Sequence, residues 1–363
     1  MKKTVGIIMA FVTGLVLFGG GHVQRAQAAE MNFAVTANIP KNQIDKRQTF
    51  FNLKMKPNQK QDITVTLKNA TSKDVVVMAE ANSAMTNDNG VVEYSQVKPK
   101  LDKTMTNPLS SIVKSETEVT VPAKKSVVHT FHITMPAKQY DGEIDGGLYF
   151  YEKIDKDSES KSKSNVQIKN RYAFVIGTTL TETESVVKPD MKLLGIEPGS
   201  VNFRNTLKVN LQNPTMTPIR NLKVDGKVYS RNGSKVLFAS TTSNMTLAPN
   251  TNFNYGIFWN NQPFAPGKYR LEMTATSGAN KWKWNENFTI DGAAADKLNK
   301  KAVNLEHDYT MWYILAGVLL ILLVLFIIWF LARRRNKKDK EDAIEEAKRQ
   351  IMAEMQTDDK EDK

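Results

Sequence analysis

The chain has 363 residues and no cysteine. That excludes disulfides, thiolate metal sites and a thiol nucleophile. A large secreted eukaryotic ectodomain would ordinarily carry disulfides, so an exported chain without them points to a bacterial surface protein. The sequons at Asn69, Asn244 and Asn287 are then chance matches. Histidine is scarce as well, with four residues in all. His22 falls in the N-terminal leader and His307 just ahead of the C-terminal apolar run. His129 and His132 sit three apart on an expected strand, so they face opposite ways and cannot share one metal ion. No serine occupies a G-x-S-x-G elbow. The expectation is a protein that is not an enzyme, with no catalytic residue, no cofactor and no metal site.

Charge is missing from one stretch, Trp312 to Leu331. About 20 apolar residues in a helix cross a bilayer's hydrocarbon core. The run is apolar on every side, whereas a soluble core helix shows a polar face. Trp312, Tyr313 and Trp329 lie at its ends, at headgroup level, and Arg333–Lys338 follows as a cluster that stays cytoplasmic. The reading is a single-pass cell-membrane protein, with a transmembrane helix at 312–332 and a cytoplasmic tail at 333–363. At the other end, Lys2-Lys3, an apolar run from Val5 to Phe18 and Ala26-Gln27-Ala28 form a signal peptide over residues 1–28. Everything between is expected outside the cell. No LPxTG-like pentapeptide precedes Trp312, so the anchor is retained and not exchanged for a covalent wall link.

The net charge of +12 is unevenly spread. Residues 29–187 carry 21 Lys/Arg against 19 Asp/Glu, residues 188–311 carry 16 against 9, and the tail ten of each. The excess therefore sits in the membrane-proximal part of the ectodomain, where it favours anionic polymers or acidic partner surfaces over nucleic acid.

Between the two apolar ends the pattern is β. Ile63, Val65 and Leu67 alternate with Asp62, Thr64, Thr66 and Lys68. Val75–Val77 is a buried run, and Asn87-Asp88-Asn89-Gly90 is a turn before Val91–Tyr94. Val127–Met135, Leu148–Tyr151 and Tyr172–Leu180 are further strands, with a short helix within Asn107–Val113. The tract Lys156–Ser164 is polar and low in complexity, a loop by composition. Lys188-Pro189 breaks the pattern. Beyond it Leu207, Val209 and Leu211 alternate, and Asn232-Gly233 sits between two strand patterns as a hairpin signal. Trp282 and Trp284 share a strand face with Phe288 and Ile290. The fold class is all-β: two consecutive immunoglobulin-like sandwiches at 29–187 and 188–292, a linker at 293–311, and the membrane helix. Past the basic cluster, Ile344, Ala347, Ile351 and Met355 recur at helical spacing behind Asp342, a plausible N-cap for a weakly amphipathic helix.

Two sets of residues are candidate ligand contacts. Asp141, Glu143 and Asp145 alternate in Asp141-Gly-Glu-Ile-Asp-Gly-Gly147 like the oxygen-rich start of a calcium loop, but the closing glutamate at the twelfth place is missing. The plainer reading is a glycine-rich entry to the strand that follows, with solvated acids. Tyr149, Tyr151, Trp259, Trp282 and Trp284 offer flat faces for sugar rings; the plainer reading for most of them is that alternating aromatics fill the core of a sandwich.

Several segments in order resemble the WxL-interacting proteins of Gram-positive bacteria. They are Asn38-Ile-Pro-Lys-Asn-Gln, Phe50-Phe-Asn-Leu, Met85 to Tyr94 and Asp141 to Phe150, then Tyr255 to Trp259, Ala265 to Tyr269 and Lys281 to Trp284. The resemblance implies a first domain that binds peptidoglycan and a second that binds host proteins, such as those of the extracellular matrix. It also implies action beside surface proteins bearing a WxL cell-wall domain. It brings no catalytic residues. A different class of function, a membrane-anchored assembly factor that holds exported proteins by strand addition, is the alternative.

Overall fold

The computed structural model describes residues 31–153, 172–303, 305–306 and 309–361. The expected signal peptide with His22, the 156–164 tract and His307 lie outside these residues.

The β part is two sandwiches, each around its own core. In the first, β1 (Phe33–Asn38), β3 (Lys60–Asn69), β9 (Ser126–Thr134) and β7 (Val113–Lys114) form one sheet in the order β1-β3-β9-β7. The facing sheet runs β2-β11-β10-β4-β8, from β2 (Phe51–Lys54), β4 (Val75–Ser83), β8 (Glu118–Val121), β10 (Ile144–Glu152) and β11 (Ala173–Thr181). All these pairs are antiparallel except β2 with β11. The period-two pattern explains the core: Ile63, Val65, Leu67, Phe131, Leu148 and Phe150 point inward and are at most 1% exposed. Burying this many large apolar side chains, each contributing about 1.5–3 kcal/mol, is what offsets the ordering of the strands. His129 is buried while His132 is exposed and bonds Asp62 at 2.7 Å, so the two do face opposite ways.

The second sandwich pairs a three-stranded sheet, β12-β13-β16, with a four-stranded one, β15-β14-β17-β18. Its strands are β12 (Lys192–Val201), β13 (Arg204–Asn213), β14 (Ile219–Ser230), β15 (Val236–Leu247), β16 (Thr251–Phe258), β17 (Gly267–Ser277) and β18 (Asn280–Ile290). Seven strands split three and four make an immunoglobulin-like sandwich, with the fourth strand, β15, paired to β14 in the larger sheet. Asn232-Gly233 does lie in the β14–β15 hairpin. The connection is longer than a two-residue turn, and neither residue takes a left-handed conformation.

The short helix expected in Asn107–Val113 is α1 (Leu109–Ile112), a single turn that buries Leu109 and Ile112. One short element differs from expectation. The stretch after residue 292, expected as a linker, begins with α2 (Gly292–Asn299). Asp291 caps α2 by accepting from Ala294 N–H at 2.8 Å. Ala295 is fully buried in the second core, and Asn299 bonds Asn205 and both backbone groups of Phe264, so this piece belongs to the sandwich.

A small hairpin of β5 (Met85–Thr86) and β6 (Val92–Glu93) leaves the first sandwich to meet the second. Thr86 Oγ1 lies 2.7 Å from Thr251 Oγ1 and accepts from Ala248 N–H. Asp88 accepts from Asn254 N–H at 3.0 Å, and Gly90 C=O from Thr246 N–H at 2.8 Å. Buried Asp102 takes hydrogen bonds from Gln212 and Asn252. Glu143 N–H donates to Met216 C=O at 2.7 Å. The residues from 31 to 260 and from 264 to 302 thus make one compact body.

The C-terminal part is a second body. It is dominated by α3 (Thr310–Glu361), an uninterrupted helix. Its apolar part has a mean hydropathy of 3.3 with none of it buried against protein, as a membrane span requires. Arg333 and Arg334 lie over the rings of Trp329 and Phe330, one turn back, at 5.3 and 5.1 Å. The helix passes straight through the basic cluster, so Asp342 is an interior residue and not the start of a separate tail helix.

Candidate functional site

The site is built on the outer face of the five-stranded sheet. On β10 the residues pointing outward are Asp145, Gly147, Tyr149 and Tyr151, because the inward alternates Leu148 and Phe150 belong to the core. Antiparallel register sets these against β11: Asp145 opposite Thr179, Gly147 opposite Gly177, Tyr149 opposite Val175. Two glycines facing each other remove side chains from one rung of the sheet. The gap has aromatic walls. Tyr94 stands over Gly147, where a Cβ would lie 2.9 Å from its ring, and Phe50 stands over Gly177 at 3.9 Å by the same measure. Asn82 fixes the Tyr94 segment by donating to its carbonyl at 2.8 Å.

The result is an open cleft of about 520 Å³, lined by Phe50, Tyr94, Asp145, Val175, Gly177, Thr179 and Arg220 among others. That is within the range of small-ligand sites. One end is polar. Asp145 accepts from Thr179 Oγ1 at 2.8 Å, and Arg220, contributed by the second sandwich, stands 3.9 Å from the Glu143 carboxylate. Burial and the neighbouring Glu143 push the Asp145 carboxyl up to about 6, against the opposing pull of Thr179 and Arg220. Burial and the Asp145 charge also raise the Tyr94 phenol, which Arg220 partly counters, so these three groups share one electrostatic neighbourhood. Farther along the same sheet face, beyond the cleft's lining, the rings of Tyr149 and Tyr151 are 5.4 Å apart and tilted by 53°. Tyr151 OH donates to Glu80 at 3.3 Å. The arrangement offers flat apolar faces beside hydrogen-bonding groups and one titrating carboxyl. It suits a ligand with sugar rings and polar substituents.

Of the residues singled out from sequence, Asp145, Tyr149 and Tyr151 come together on this face. Asp141 and Glu143 do not join Asp145 in a chelating set. Asp141 is exposed and accepts from Thr183 at 2.5 Å, while Glu143 is turned toward the sandwich junction. Among the described residues, no three His, Asp or Glu side chains are grouped to hold a metal ion. Trp259 is a correction. It is 2% exposed, stacked on Phe238 at 3.8 Å and ringed by Phe264 and Tyr269, so it is a core residue and no ligand can reach it. Trp282 and Trp284 are half-buried on β18, packed against the second core with Leu193 and Ile196, and they are on the other sandwich from the cleft. Phe50, Tyr94, Gly177, Thr179 and Arg220 were not singled out as contacts from sequence. The period-two set Asp145, Gly147, Tyr149 was visible there, but the strands and loops that complete it are far apart in the chain.

Comparison with known proteins places both sandwiches. Residues 33–152 match a family model described as the peptidoglycan binding domain of WxL Interacting Protein, and residues 163–300 match one described as its host binding domain. The second match begins upstream of β11, a strand that pairs with β10 in the first sandwich. No curated protein matches the chain. Among solved structures, the Escherichia coli chaperone DraB aligns at 12% identity over 71% of this chain and 98% of its own, with a TM-score of 0.26. The CsuC-CsuE chaperone–tip adhesion subunit complex of Acinetobacter baumannii aligns at 12% identity over 62% and 90%, with a TM-score of 0.28.

Proposed function

Because this chain belongs to the WxL-interacting protein family, we propose that it is a membrane-anchored binding protein. In this reading the first sandwich takes peptidoglycan in the cleft between Tyr94 and Phe50. The family assignment supports peptidoglycan and host binding as the classes of activity. The cleft is what carries the choice of site. Peptidoglycan presents sugar rings with acetamido groups and short peptides ending in carboxylates. Tyr94 and Phe50 supply faces for the rings, Asp145 and Thr179 hydrogen-bond the substituents, and Arg220 receives a carboxylate. The chain does no chemistry on its ligand; it binds and holds.

In the same reading the β body is extracellular, α3 crosses the membrane once, and the Arg333–Lys338 cluster lies in the cytoplasm. Partners are WxL-domain surface proteins and host matrix proteins, the latter bound by the second sandwich. The test is cosedimentation of the full-length protein, in detergent micelles, with purified peptidoglycan. Wild type is expected in the pellet, and a Phe50→Ala, Tyr94→Ala double variant in the supernatant. Equal pelleting of the two rejects the cleft, and no pelleting of either rejects peptidoglycan as the ligand.

A further inference from the structure

We propose that the outer face of the β15-β14-β17-β18 sheet is a second binding surface, independent of the cleft, for a linear polymer carrying phosphodiester charges in its own backbone. The face is the one turned away from the second core. Its rungs are set by register: Lys223 beside Thr276 beside Lys281, then Asp225 beside Thr274 beside Lys283, then Lys227 beside Glu272 beside Asn285. Thr274 and Thr276 are half-buried between two rows of exposed lysines, so the face is a trough with a hydroxyl floor and cationic sides.

The two acids on this face are already engaged. Asp225 accepts from Thr241 at 3.1 Å, and Glu272 pairs with Arg270, which also lies over the Tyr229 ring at 4.5 Å. Among the described residues, Lys223, Lys281 and Lys283 have no ion pair, while Lys227, opposite Glu272, acts electrostatically on that carboxylate. Lys281 and Lys283 are two residues apart, about 7 Å along the strand, and both rows run parallel to β17.

This geometry selects among anionic partners. β17 is an interior strand whose backbone groups are paired on both sides, so an acidic peptide finds no backbone donors here and would have to dock through flexible side chains alone. A thin polymer with charge in its backbone can lie along the trough. Its phosphate oxygens then meet threonine hydroxyls below and lysine ammonium groups on either side. Lysine binds phosphate as a point charge, and the threonine hydroxyls add hydrogen bonds to its oxygens.

The experiment uses the full-length protein in detergent micelles, titrated with poly(glycerol phosphate) at several salt concentrations. Wild type is expected to bind with a steep salt dependence, from release of counterions. A variant with Lys223, Lys227, Lys281 and Lys283 all changed to Gln is expected to bind at least about tenfold more weakly with a shallower salt slope. An equal-charge control, with Lys60, Lys68, Lys98 and Lys100 changed to Gln in the first sandwich, is expected to stay within about twofold of wild type. Absence of binding, or an equal loss in the two variants, overturns the proposal. Polyglutamate or heparin of matched charge binding as tightly overturns the phosphodiester assignment. Peptidoglycan cosedimentation of the four-lysine variant should be unchanged, which separates this surface from the cleft.

Discussion

Asp102 of the first sandwich holds Gln212 of the second: the Gln212 side-chain amide donates to both carboxylate oxygens, at 2.8 and 2.9 Å. Asn252 and the Thr104 N–H and hydroxyl donate to the same carboxylate, which is only 7% exposed. Burial by itself would raise this acid. The donors outweigh burial and hold it below the ordinary carboxylate value of 3.8.

Changing Asp102 to Ala strands Gln212 and Asn252 at a buried junction. The expected cost is about 2 kcal/mol, read as a lowered midpoint in calorimetric melting. The sign of the pH effect follows from the depressed value. The stabilisation is present above pH 3.8 and is lost as pH falls through the folded-state value, so the gap between wild type and Asp102→Ala narrows in acid.

Asp145 has the opposite sign. Its carboxyl is raised to about 6 in the folded protein, from 3.8. Between these values the unfolded chain gives up its proton more readily, so stability falls as pH rises through that window. Asp145→Asn keeps an acceptor for Thr179 without the charge. The variant is expected to melt higher than wild type at pH 7 and to converge with it below pH 4, in melting curves taken across that range.

The paired glycines should separate binding from stability. A Cβ on Gly177 meets Phe50 at an ordinary 3.8 Å, so Gly177→Ala is expected to melt within about 0.5 kcal/mol of wild type while narrowing the cleft and weakening peptidoglycan binding several-fold. A Cβ on Gly147 comes within 2.8 Å of Val175 and 2.9 Å of Tyr94. Gly147→Ala is expected to lose both binding and about 1–3 kcal/mol of stability.

Gly142 tests the junction from the other side. Its φ is +96°, and an added Cβ would lie 2.1 Å from the Met216 carbonyl oxygen, which accepts from Glu143 N–H one residue on. Gly142→Ala is expected to cost at least about 2 kcal/mol and to increase amide exchange at Glu143 and around Met216.

The strands were legible where one face is buried. Ile63-Val65-Leu67 and Leu207-Val209-Leu211 have the period-two alternation that burial of one face produces, and both sets lie in the cores. α2 was missed because Gly-Ala-Ala-Ala is ambiguous alone. What makes it a helix here is the Asp291 cap and the pocket for Ala295, both tertiary facts. The break expected at Asp342 is absent because no residue between Arg333 and Asp342 interrupts helical propensity. For the cleft, β10 displayed Asp145, Gly147 and Tyr149 at spacing two. Its completion by Gly177, Phe50, Tyr94 and Arg220 depends on register between strands and on loop placement, which local pattern does not encode. Trp259 stood as a candidate sugar contact beside the plainer core reading, because sequence alone does not distinguish an aromatic facing the core from one facing out; the structure puts it in the core.

The most direct measurement is hydrogen exchange on the full-length protein with and without a soluble peptidoglycan fragment. Slowed exchange is expected over residues 145–149 and 175–179, in the Tyr94 segment and at the start of β14 around Arg220, with the rest of the second sandwich's strands unchanged. Protection confined to the second sandwich, or none at the β10–β11 rung of Gly147 and Gly177 at saturating fragment, would contradict it.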